Sequence, residues 1–116
     1  MIKETFEDIR EKVLDWSFKK KLFDPEKQYM KFAEEVGEFE EAWEEYRKNP
    51  TPENKLPMMM EFGDVLVTLI ILASQLRINP IECLNLAYFK IKDRKGRTIN
   101  GMFYKQEDLE GVEDDL

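Results

Sequence analysis

Apolar residues recur at spacings of three and four in four stretches of this chain, and prolines and Asn-Gly steps separate the stretches. The first runs from Thr5 to about Leu22 and places Phe6, Ile9, Val13 and Trp16 on one stripe. Asp24 is a helix-capping residue with Pro25 behind it, and the helix they open runs to about Lys48. A third helix starts near Asn54 or Leu56, holds Pro57 in its first turn and ends near Arg77. Asn79 caps a fourth, with Pro80 at its first position, reaching about Lys92. Asn100-Gly101 then marks a tight turn, consistent with a small hairpin. The pattern predicts an all-α, four-helix bundle-like domain over residues 1–116, with a short irregular C-terminal tail.

The second and third helices repeat one local pattern. Glu35-Val36-Gly37-Glu38-Phe39 and Glu61-Phe62-Gly63-Asp64-Val65 both read acid, apolar, glycine, acid, apolar. The expected seam of helix two is Phe32, Val36, Phe39, Trp43 and Tyr46; that of helix three is Met58, Phe62, Val65, Leu69, Leu72 and Leu76. In each helix the two acids lie on one edge of the seam. Helices packed through these seams bring four carboxylates together beside the core. A glycine in both copies, where Ala is worth about 1 kcal/mol more to a helix, suggests close backbone approach by a neighbour.

Composition narrows the chemistry. Among 116 residues there is no histidine and one cysteine, Cys83. Histidine triads, histidine-built zinc or di-iron sites and an intramolecular disulfide are excluded. Carboxylates that converge near a dry core repel unless a cation lies between them, and an all-oxygen donor set selects Mg²⁺, with Mn²⁺ as the substitute. Glu40, Glu41, Glu44 and Glu45 read as a solvated face. The net charge of −7 is largely a property of the acidic tail from about Glu107. No apolar leader opens the chain, and the longest apolar run, Val65 to Ala73, is too short for a bilayer. The expectation is a cytoplasmic protein without membrane or nucleic-acid partners. A domain this small gains burial by self-association, and a homodimer or homotetramer is expected.

Glu34-Glu35-Val36-Gly37-Glu38 followed by Glu61-Phe62-Gly63-Asp64 is an EExxE…ExxD pattern, with Lys31 one turn before it and a basic run, Lys90 to Arg97, after the fourth helix. Over roughly residues 25–109 this resembles the MazG-like nucleotide pyrophosphohydrolases of the all-α NTP pyrophosphatase superfamily, in their short single-domain form. The resemblance implies an enzyme that hydrolyses nucleoside triphosphates to the monophosphate and pyrophosphate and clears non-standard or excess nucleotides. It carries metal ligation onto Glu35, Glu38, Glu61 and Asp64. Glu34, the first acid of the motif, would hold a second ion or orient the attacking water. Lys31, Lys92, Arg94 and Arg97 are candidates to offset charge on the substrate's phosphates. Where relatives carry an asparagine on the fourth helix, this chain has Phe89, with Asn85 one turn earlier. Trp16, Phe18, Phe23 and Gln28 are the candidates for holding a base. The competing expectation is a non-catalytic helical module that dimerises through its seams.

Overall fold

The structure, a computed structural model, describes residues 3–109. It is predominantly α-helical. The chain divides into two compact units, residues 1–80 and 81–116. Most of the acidic tail, residues 110–116, lies outside the described residues.

Helix α1 spans Phe6–Lys19. Thr5 opens it with a reciprocal cap: the Thr5 hydroxyl accepts from the Asp8 amide, and the Asp8 carboxylate accepts from the Thr5 amide. These bonds hold the Asp8 carboxyl below the ordinary aspartate range. Helix α2 spans Pro25–Lys48, with Asp24 accepting from the amides of Glu26 and Lys27. Helix α3 spans Pro52–Gln75, capped by the Thr51 hydroxyl. It starts earlier than the sequence suggests and carries Pro57 inside, because Thr51-Pro52 supplies a complete cap one turn upstream. By length and composition α3 could cross a membrane, with a mean hydropathy of 1.8 over 18 residues. It packs against α2 and α1 and holds Glu61 and Asp64 near its middle, with 22% of that apolar window buried.

Phe39 meets Phe62 edge to face, with ring centroids 5.6 Å apart. Gln28 Nε2 donates across the pair to the Thr68 carbonyl at 3.3 Å. Phe39 and Phe62 both belong to the predicted seams, but the most buried face of α3 lies away from its seam. Thr68, Ile70, Ile71 and Ala73 are its buried residues, whereas Phe62, Leu69 and Leu76 stand 41–55% exposed. The reason is that α3 is apolar almost all round, so periodicity leaves its packed face open. On α2, Val36 and Trp43 are likewise exposed. Among the described residues, none approaches Gly37 or Gly63: a Cβ at either would meet nothing within 4 Å. The expectation of a close neighbour at these glycines is not met within one copy.

In the second unit, α4 spans Pro80–Ile91 and is followed by an antiparallel pair, β1 Gly96–Ile99 and β2 Met102–Lys105, and the short helix α5, Gln106–Leu109. The hairpin expected at Asn100-Gly101 is present and is followed by a helical turn. Asn100 and Gly101 both adopt positive φ, 50° and 82°, as a two-residue hairpin turn of the primed type requires. Gly96 is needed for a different reason, since a Cβ there would overlap the Tyr104 carbonyl and the Phe103 ring. Leu109 of α5 is buried.

The two kinds of glycine predict opposite substitutions. Gly37→Ala should raise stability by about 0.5–1 kcal/mol, because the site is open and helical. Gly96→Ala should destabilise the hairpin by about 1–3 kcal/mol through overpacking. Urea unfolding of each variant measures both signs.

Candidate metal centre and adjoining cavity

The pairing of α2 with α3 determines where the acids go. Glu35 and Glu38 lie on adjacent turns of α2, and Glu61 comes from the facing edge of α3. One carboxylate oxygen from each lies within 4.8 Å of the other two. Glu35 is only 7% exposed. Its Oε2 and the Oε2 of Glu61 are both buried and have no hydrogen-bond donor among the described residues. A buried carboxylate oxygen without a donor is costly, and two in one cluster form an acidic group that a bound cation would relieve. All three donors are hard oxygens, which fits Mg²⁺ or Mn²⁺ and disfavours softer ions.

Electrostatics follow the geometry. A proton shared with Glu35, and then the Glu35 charge, push the Glu38 carboxyl above the ordinary glutamate range, with Glu61 and Glu34 adding to the effect. Lys31 stands on the same face, its Nζ 3.3 Å from Glu35 Oε1 and 3.5 Å from Glu34 Oε2. The hydrogen bond to Glu35, followed by the Glu34 charge, holds its ammonium above the ordinary lysine range.

Asp64 is not among the three clustered carboxylates. It is exposed, one turn beyond Glu61, and lines a cavity of about 550 Å³. Glu35 and Lys31 line the same cavity, so it opens directly beside the acid cluster. Val67, Thr68 and Ile71 form its α3 wall, and Trp16, Leu22, Phe23 and Gln28 come from α1, the α1–α2 connection and α2. Trp16, Phe23 and Gln28 are thus three of the four base-holding candidates. Phe18 lines a smaller neighbouring cavity and touches the Phe23 ring, with centroids 6.2 Å apart.

Three lining residues escaped sequence reasoning. Lys27 lies one turn before Lys31 on the same helix face, a spacing that could have revealed it. Lys21 sits in the α1–α2 connection at φ 60°, and nothing local in the sequence points to it. Gln75 donates from Nε2 to the Leu22 carbonyl at 3.0 Å, which leaves its Oε1 buried without a donor. The partner of Gln75 is 53 residues away, so only tertiary structure identifies it.

The basic candidates Lys92, Arg94 and Arg97 belong to the C-terminal unit. Lys92 lies 4.8 Å from the Phe89 ring centroid and 3.9 Å from Asp93. Arg94 lines a small cavity with Lys95, Lys105, Gln106 and Glu107, and Arg97 is paired with Tyr104 across the hairpin. Phe89 is 58% exposed and in ring contact with Tyr88, and Asn85 is exposed. No family model and no curated protein matches the chain.

The acid cluster predicts a separation of stability from metal binding. A carboxyl whose folded pKa is raised binds its proton more tightly in the native state. Its contribution is therefore lost as pH rises from the ordinary glutamate value through the raised one. Glu38→Gln should keep or raise the Tm of the metal-free protein at neutral pH. The wild type should gain about 2.7 kcal/mol from Mg²⁺ at a hundredfold excess over Kd. Glu38→Gln and Glu61→Gln should gain far less. Glu44→Gln, which alters an acid paired with Arg47 on the same helix, should behave as wild type. Thermal melts with and without Mg²⁺ or Mn²⁺ read all four.

Proposed function

We propose that the chain is a metal-dependent nucleoside triphosphate pyrophosphohydrolase that releases the nucleoside monophosphate and pyrophosphate. One observation carries the reading: two buried, donorless carboxylate oxygens within a three-glutamate cluster that adjoins a cavity of nucleotide dimensions. The EExxE…ExxD pattern points the same way. Glu35, Glu38 and Glu61 hold Mg²⁺, and Asp64, on the cavity wall, completes the acidic rim. The bound ion supplies charge neutralisation for the phosphates and acidifies water.

The chain's own residues do the rest. Glu34, which is exposed and outside the three-carboxylate cluster, orients the attacking water and accepts its proton. The water oxygen bonds to the α-phosphorus, and the bond to the bridging oxygen breaks, with its electron pair leaving on pyrophosphate. Lys31, Lys27 and Lys21 line the cavity and offset phosphate charge. Lys92, Arg94 and Arg97 remain candidates for the same task. Trp16 and Phe23 offer ring faces to the base, and Gln28 and Gln75 offer amides. Hydrolysis of non-standard or excess nucleotides fits a cytoplasmic location.

The reading includes self-association. By helical phase, Tyr29, Val36 and Trp43 of α2 and Phe62, Leu69 and Leu76 of α3 share the side of the hairpin away from the cavity, each 40–59% exposed. At roughly 100 Å² apiece the six offer about 600 Å² of apolar area, the larger part of the ~800 Å² per partner of a standard interface. A second copy of the chain is the occupant we favour, because two such hairpins, face to face, complete a four-helix bundle.

Two measurements test this. With Mg²⁺ and a panel of ribo- and deoxyribonucleoside triphosphates, pyrophosphate and monophosphate should appear in equal amounts; orthophosphate with accumulating diphosphate would refute attack at the α-phosphorus. Light scattering should report a dimer or tetramer for the wild type, and Leu69→Glu should shift it towards monomer while keeping its helical circular dichroism.

A further inference from the structure

Lys31 stands beside the acid cluster and pairs with one of its three carboxylates. Its ammonium lies 3.3 Å from Glu35 Oε1 and 3.5 Å from Glu34 Oε2, while the other oxygen of Glu35 is buried and donorless. Lys31 also lines the cavity, and its side chain is 52% exposed. Four-carbon stems of this kind reorient readily, and the Lys31 end of the pair is half-exposed although Glu35 is buried. Glu35 therefore has one oxygen compensated from within the chain and one left for a ligand.

We infer that Lys31 is a positioning latch: it neutralises Glu35 when the metal is absent and turns to the triphosphate in the cavity when the metal binds. The inference rests on the metal-dependent reading above. A divalent ion held by Glu35, Glu38 and Glu61 repels a neighbouring ammonium and supplies the charge that Glu35 had drawn from it. The phosphates entering the same cavity are the nearest new anion. Lys31 thus opposes metal binding in the empty protein and favours it once a triphosphate is present. Metal and nucleotide become coupled through one side chain, and the coupling is reciprocal.

The test uses the full chain, with Lys31→Met to remove the charge from an exposed helical position. Lys27→Met is the control, since Lys27 lines the same cavity and no ion pair ties it to the cluster. Mn²⁺ affinity without nucleotide is measured by electron paramagnetic resonance. Lys31→Met should bind Mn²⁺ roughly two- to fivefold more tightly than wild type, the range set by a half-exposed pair. Lys27→Met should change it much less. With Mn²⁺ saturating, Lys31→Met should bind a triphosphate analogue carrying methylene between the α- and β-phosphorus about tenfold more weakly. Unchanged or weaker Mn²⁺ binding by Lys31→Met, or equal tightening by Lys27→Met, would overturn the latch. Glu35→Gln separates the two levels. If wild type binds Mn²⁺ and Glu35→Gln does not, the metal centre stands and the latch is judged on the lysine variants alone. If wild type binds no Mn²⁺, the metal centre and the latch both fall.

Discussion

The pairing of α2 with α3 is the constraint on which the rest of the N-terminal unit depends. Two 24-residue helices meet along an interface fixed by Phe39 against Phe62 and by Gln28 reaching the Thr68 carbonyl. Close-packed helices leave little freedom of rotation, so those contacts also decide which side chains share the opposite edge. That edge carries Glu35, Glu38 and Glu61. Their proximity is a consequence of core packing, and it is unfavourable in itself, because three carboxylates within 4.8 Å repel. A fold that holds such a cluster, with two oxygens lacking donors, carries an electrostatic demand that a divalent cation would satisfy.

The cavity depends on the same pairing, together with α1. Gln75 tethers the α1–α2 connection through the Leu22 carbonyl, and Lys21 turns that connection at a positive φ. The result is a space with charge at one end and aromatic and amide groups along its walls. A nucleotide has this polarity. The alternative of a purely structural helical module accounts for the exposed apolar face of the hairpin, but it leaves the donorless glutamate oxygens and the adjoining cavity without a use. The proposed self-association and the proposed catalysis would use different sides of the same helix pair and are compatible.

Local physics made much of this legible in the sequence. Capping residues and prolines place the helix starts: Asp24-Pro25 opens α2, and Pro80 opens α4. Asn100-Gly101 specifies the hairpin turn, because its two central residues must adopt positive φ. The acid pairs at a spacing of three pointed to Glu35, Glu38 and Glu61, since that spacing puts both members on one helix face. These features depend on neighbours within a turn or two, which is the range over which sequence pattern carries physical information.

Only the tertiary structure decided the phase of α3. Its apolar residues surround the helix, so a periodicity argument has no polar face to orient it, and the predicted seam through Phe62, Leu69 and Leu76 is partly exposed. Tertiary structure likewise left Asp64 outside the clustered carboxylates, put Lys31 on Glu35, and brought Gln75 to Leu22 across 53 residues. The sequence by itself determined which residues could form helices and which acids could share an edge, because these follow from backbone geometry and capping. Which of those acids meet, and what cavity they adjoin, depended on how apolar surfaces from separate helices interlock, and that is set by shape rather than by local pattern.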